Sequence, residues 1–184
     1  MIITIAGTPG AGKSSVAREV AKKLKLKHYS TGDYMRQMAV KRGISLMELS
    51  KIAEKDLSLD RELDAWQIKS GKTKDNFVID SRLGFYFIPK SIKVLLVADI
   101  NECVQRIYQQ KRTTAQAEEK TLSKVMIKKK IIARENSEKK RYKMLYGLKI
   151  YSPNDFDLII DTSELQLQAV VSAVVKYVKM ANSS

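Results

Sequence analysis

Metal ligands and disulfide partners are nearly absent from this 184-residue sequence, which has one cysteine, Cys103, and one histidine, His28. A lone cysteine excludes an internal disulfide and a cysteine-based zinc cluster, and suits a reducing cytosolic compartment. Cys103 therefore reads as a small hydrophobe in a packed element. A lone histidine rules out a metal site built on histidines and a Ser-His-Asp set. Prolines number three, Pro9, Pro89 and Pro153, and no linker or low-complexity segment is visible. Long apolar runs are missing too. The longest, Val94 to Ala98, is far short of the roughly 20 residues a membrane span needs. The apolar N-terminus runs straight into a glycine-rich turn, so no signal peptide and a cytoplasmic location are expected. Aromatic residues make up 7%, which disfavours the stacking platforms of single-strand nucleic-acid binders.

Acidic residues are also in short supply, 20 Asp and Glu against 34 Lys and Arg, for a net charge of +14. Such a surplus points to polyanionic partners: phosphorylated small molecules, nucleic acid or an anionic membrane surface. The surplus is uneven. Residues 111–150 carry 13 Lys and Arg against four Asp and Glu, so +9 of it lies there. The hydrophobic share, 44%, is ordinary for one globular domain.

Short β-branched runs recur: Met1 to Ala6, Phe77 to Ile79, Val94 to Val97 and Leu158 to Ile160. Each suits a strand buried on both faces. Helical spacing fills the intervals at 14–26, 46–70, 100–111, 121–146 and 165–180, the last with Leu167, Val170, Val171, Val174, Val175 and Val178 on one face. Alternating units of this kind predict an α/β fold with a parallel sheet covered on both sides.

The strongest local signal is Gly7-Thr8-Pro9-Gly10-Ala11-Gly12-Lys13-Ser14. It satisfies G-x-x-x-x-G-K-[ST] between a strand and a helix, the context that gives the P-loop its meaning. Gly10 and Gly12 let successive N–H groups turn inward as an anion nest, and the following helix adds its positive end. Lys13 should reach the β- and γ-phosphates of a bound nucleotide, and the Ser14 hydroxyl should bind Mg²⁺. A ligand-free glycine turn is the competing reading, and a full match in this context weighs against it. GTPases, helicases and small kinases all share the loop. No Asn-Lys-x-Asp guanine-reading motif is present.

Two further clusters stand where strands end. Ser30-Thr31-Gly32-Asp33-Tyr34-Met35-Arg36 places a hydroxyl, an acid and a cation within two turns. It suits either a helix N-cap at Thr31 or Asp33 with a surface arginine, or acceptor binding, with Arg36 on a phosphate and Asp33 ordering a Mg²⁺-bound water. Asp80-Ser81-Arg82 follows the third apolar run. An Asp80–Arg82 ion pair is one reading; the other makes Arg82 the second half of a phosphate clamp with Arg36.

Taken in order, these segments resemble the archaeal-type cytidylate kinases. So do Asp60-Arg61-Glu62-Leu63-Asp64, the stretch Arg134 to Tyr142, Tyr146-Gly147 and Phe156 to Ser163. The resemblance covers nearly the whole chain. It implies a P-loop three-layer sandwich on a central parallel five-stranded sheet, within one domain spanning residues 1–184. The core would comprise 1–30, 73–110 and 147–184, the monophosphate-binding helical insertion about 31–72, and the helical lid about 111–146. It implies transfer of the ATP γ-phosphoryl group to CMP or dCMP. Gly7, Thr8, Pro9, Gly10, Ala11, Gly12, Lys13, Ser14 and Ser15 would surround the ATP phosphates. Ser30, Asp33, Arg36, Asp80, Arg82 and Glu138 would face the acceptor. Lys13, Arg112, Arg134 and Arg141 would act on the transferring group, with Ser14 and Asp33 at the metal. Asp161 to Ser163 would border the adenine. Without the family, the Arg134, Glu138 and Arg141 spacing suits an ion-paired solvent face equally well.

Three features depart from the family pattern. Ser81 replaces a usual glycine, Asp99 stands where proline is common and reads as an N-cap, and the lysine-rich segment 111–132 is longer than the family lid. Trp66 reads as a core anchor rather than an acceptor contact. An adenylate kinase-like enzyme and an RNA-associated P-loop protein are the rival readings, with nucleic acid and membrane both less favoured than nucleotide phosphates. Monomer and homodimer remain equally open.

Overall fold

The computed structural model of the chain describes residues 1–53, 56–113 and 123–183, with side chains at all of these except 46, 47, 50, 51 and 110–113. Five strands, β1 (Ile2–Gly7), β2 (Lys27–Ser30), β3 (Phe77–Asp80), β4 (Ile92–Val97) and β5 (Leu158–Asp161), form one sheet in the order β2-β3-β1-β4-β5. Every pairing is parallel, with Ile5 opposite Asp80 and Val94, and Gly7 opposite Leu96. The β-branched runs form strands because both faces are covered. Ile3, Ile5, Val94 and Leu96 pack on Val16 and Val20 of α1 (Lys13–Leu24) and on Val170, Val171, Val174 and Val178 of α8 (Leu167–Ala181). Alternate residues Ala6 and Leu95 face the other layer, against Leu83, Phe85 and Tyr142.

That second layer and its extensions carry the remaining helices: α2 (Thr31–Lys41), α3 (Leu46–Ala53), α4 (Ser58–Thr73), α5 (Gly84–Phe87), α6 (Ile100–Thr113) and α7 (Lys124–Tyr146). Met38, Ala39, Leu49, Ala53 and Leu59 close a small apolar cluster among α2, α3 and α4. Cys103 and Val104 of α6 pack on Ile127 and Ile131 of α7, so Cys103 is the small hydrophobe expected.

The sequence predicts one helix over 46–70, and the structure breaks it. The Asp56 carboxylate accepts from the Ser58 backbone N–H and hydroxyl, each at 2.8 Å. This local bonding competes with the helical ladder, and α4 starts afresh at Ser58. Asp99 caps α6 as expected, its Oδ1 2.8 Å from the Asn101 N–H. Trp66 is half-buried rather than enclosed; it stacks on Tyr34 at 4.5 Å and packs beside Phe77 and Ile79. Among the described residues no helix is long and apolar enough to cross a membrane.

Candidate active site

The carboxyl ends of β1, β3 and β4 open on one edge of the sheet, where ligands of parallel α/β folds bind. Between β1 and α1 the chain curls through left-handed backbone at Gly10 (φ +89°) and Gly12 (φ +86°). Gly10 has a second reason to lack a side chain, since a Cβ there would lie 2.7 Å from Cβ of Cys103. The loop therefore rests directly on α6. Lys13 folds back over it and donates to the Thr8 carbonyl at 2.8 Å. Burial, with Arg82 and Arg134 adding repulsion, pulls the Lys13 ammonium down to about 7. Three cations thus crowd the loop.

Each arginine the sequence singled out, where its side chain is described, is held by a carboxylate. Arg36 pairs with Asp33 on the exposed face of α2. The buried Glu138 carboxylate takes two, lying 2.7 Å from Arg82 Nε and 2.9 Å from Arg134 Nε. Arg141 Nη1 lies 3.6 Å from Asp60 Oδ2, across from α7 to α4. Burial opposes the charge of Arg82, but Glu138 and Tyr151 outweigh it and hold the guanidinium above its usual range. The Arg112 side chain lies outside the described residues.

Asp80 ends β3 nearly buried. Its Oδ2 accepts the Ser14 hydroxyl, and its Oδ1 is 3.3 Å from His28 Nε2. The Asp80–Arg82 pair considered from the sequence does not form; Glu138 takes Arg82 instead. The α2 N-cap is Ser30, not Thr31 or Asp33: its hydroxyl accepts from the Asp33 N–H at 3.3 Å.

The sequence profile of the cytidylate kinase-like family matches residues 2–164. The chain belongs to that family. It is 34% identical to the cytidylate kinase of Methanocaldococcus jannaschii over 179 residues, covering 95% of each chain. It is 35% identical to that of Archaeoglobus fulgidus, covering 98% of this chain and 96% of the other. The fold is shared with solved kinases: shikimate kinase from Bacteroides thetaiotaomicron superposes with a TM-score of 0.68 at 15% identity, covering 97% and 98% of the two chains.

Ser81, which stands where the family usually has glycine, turns its hydroxyl inward. It donates to Gln67 of α4, and both side chains are buried. The serine ties α4 to the end of β3. Two more ties run from α4 to α7: Asp60 to Arg141, and the Tyr146 hydroxyl to Asp64. Burial pushes the Asp64 carboxyl up to about 6, against the pull of that hydrogen bond. Asp60 and Asp64 share a face at i, i+4 spacing, the one sequence signal for this interface. Arg106 carried no such signal. It donates to the Thr162 carbonyl at 2.5 Å and the Ser163 carbonyl at 3.2 Å, fixing the turn after β5 whose Thr162 hydroxyl lies 3.3 Å from the Ala11 carbonyl.

Proposed function

We propose that this kinase transfers the γ-phosphoryl group of ATP, with Mg²⁺, to CMP or dCMP. The observation that carries the reading is the crowding of Lys13, Arg82 and Arg134 at the P-loop, where burial first, and then the two guanidinium groups, depress the Lys13 ammonium. Such a cluster is stable only with anions among the cations. Glu138 and Asp80 supply two negative charges, whereas two nucleotides meeting end to end would supply several. Relatives named cytidylate kinase across nearly the full length support cytidine monophosphate as the acceptor.

In this reading the loop Gly7 to Ser15 surrounds the ATP phosphates through backbone N–H groups, and Lys13 exchanges the Thr8 carbonyl for phosphate oxygens. The hydroxyl of Ser14 and the carboxylate of Asp80 are hard oxygen donors already in contact. They fit Mg²⁺, which prefers one or two protein oxygens together with substrate phosphates. Asp33, expected at the metal, pairs with Arg36, so Asp80 is the better-placed acid. Bound Mg²⁺ would neutralise charge on the β- and γ-phosphates. Arg36 and Arg82 take the acceptor phosphate, Arg134, Arg141 and Arg112 the transferring group, and Ser30 sets the start of α2. Glu138 releases Arg82 and Arg134 to phosphate as substrates arrive. The insertion (31–72) and lid (111–146) close over both nucleotides and exclude water, which would otherwise compete as acceptor.

A coupled assay of ADP formation from ATP with CMP, dCMP, UMP and AMP tests the proposal. CMP and dCMP should give the highest kcat/KM. ADP release with none of them, or a clear preference for AMP or UMP, refutes it.

A further inference from the structure

Tyr151 belongs to no sequence motif, yet its side chain joins two elements of the site. It lies in the loop that leaves the Gly147 C-cap of α7 and returns to β5. Its φ is +62°, a left-handed conformation that is unfavourable by about 1–2 kcal/mol for a residue with a Cβ. The other non-glycine residues with positive φ have local reasons. Lys25 is the C-cap of α1, and Asn76 is of a type that tolerates this region. Tyr151 has neither. Backbone in such a region persists only where the surroundings over-determine it.

The surroundings here are the phenol's partners. The Tyr151 hydroxyl donates to the Gly7 carbonyl at 2.7 Å and accepts from Arg82 Nη1 at 3.2 Å. Arg82 Nη1 itself donates to the same carbonyl at 3.2 Å. The three groups close a triangle between the first residue of the P-loop and the arginine beyond β3. Burial raises the phenol pKa, so the hydroxyl stays a donor throughout the working pH range. Tyr151 also lines a small cavity with Thr8, Glu135 and Glu138, beside the same arginine.

We propose that Tyr151 is a positioning residue: its hydroxyl sets the Arg82 guanidinium against the Gly7 carbonyl, and so fixes the distance between acceptor phosphate and P-loop. The inference rests on the reading of Arg82 as an acceptor-phosphate ligand. Glu138 holds the guanidinium at Nε, while the Tyr151 hydroxyl and the Gly7 carbonyl hold its far end at Nη1. Phosphoryl transfer depends on in-line approach, and a displacement of about 1 Å costs on the order of 100-fold. The left-handed backbone follows: the loop takes a strained turn because the ring must reach the sheet edge.

Steady-state kinetics of Tyr151→Phe, with ATP and CMP varied separately, tests this. The ring and backbone remain and only the hydroxyl goes. The expected result is a fall in kcat/KM for CMP of about 10- to 100-fold, with the KM for ATP within about twofold of the parent. A thermal melt guards against a folding artefact: Tyr151→Phe keeps the ring that packs beside Leu83, Phe85 and Leu95, so it should melt within a few degrees of the parent while losing CMP turnover. In the double variant with Arg82→Lys the two losses should fall well short of additive, as for groups acting through one another. An unchanged kcat/KM for CMP, equal losses toward ATP and CMP, or strict additivity overturns the inference. If the parent prefers AMP or UMP, the choice of acceptor fails, and the same comparison with that acceptor decides the role of Tyr151. If it uses no monophosphate at all, both readings fall.

Discussion

Replacing Glu138 by glutamine removes one negative charge with little change of shape, and the structure sets the size of the consequence. Glu138 is 5% exposed and lies 2.7 Å from Arg82 Nε and 2.9 Å from Arg134 Nε. The Arg134 side chain is 61% exposed, so water screens its pairing, which is worth under about 1 kcal/mol. The Arg82 side chain is 13% exposed. Glu138→Gln leaves that guanidinium buried with no charge opposite it, a loss of about 3–5 kcal/mol. In a domain of this size each kcal/mol moves Tm by about 2–4 °C, so Tm should fall by roughly 6–20 °C. Scanning calorimetry of parent and variant at neutral pH measures it. Added CMP should raise Tm more in the variant than in the parent, because a phosphate dianion on Arg82 restores the missing counter-charge. A fall below about 3 °C would show that Arg82 does not depend on Glu138. An equal CMP shift in both proteins would refute the exchange of carboxylate for phosphate.

Two pH-linked results follow from other groups. With Lys13 near 7 in the free protein, bound triphosphate should return it to its ordinary range, so ATP binding at about pH 8 takes up close to one proton. Titration calorimetry in two buffers of different ionisation enthalpy measures the uptake, and zero uptake contradicts the assignment. The folded pKa of Asp64, about 6, lies above its ordinary 3.8, so the folded state holds this proton more tightly than the unfolded chain. That contribution is complete below about pH 4 and is lost as pH rises through about 6. Asp64→Asn cannot ionise and keeps an acceptor for Tyr146. Urea unfolding should show it matching the parent in acid and exceeding it above pH 6; a difference constant with pH would exclude linkage to Asp64.

What could be read from the sequence was what is encoded locally. The P-loop was legible because a glycine pattern between a strand and a helix dictates backbone direction within eight residues. The parallel sheet was legible because each strand is a short apolar run bounded by helical spacing. The helix predicted over 46–70 failed for an equally local reason, since the side-chain bonds of Asp56 compete at a scale that periodicity averages out. Asp80 and Arg82 were recognised as neighbours in sequence, but as each other's possible partners. In the folded chain Asp80 meets Ser14 and His28, and Arg82 meets Glu138, 56 positions away.

The sequence by itself determined the glycine loop between β1 and α1, the α/β order and the excess of positive charge. Only the tertiary structure decided which acid holds each arginine, that Ser81 bonds to Gln67, and that Tyr151 reaches Gly7 across 144 positions. The division has a physical cause. Backbone conformation and apolar periodicity are short-range properties of the chain, written in neighbouring residues. Charge pairing and hydrogen bonding between distant side chains depend on where strands end and helices cross, and those positions exist only once the core has packed.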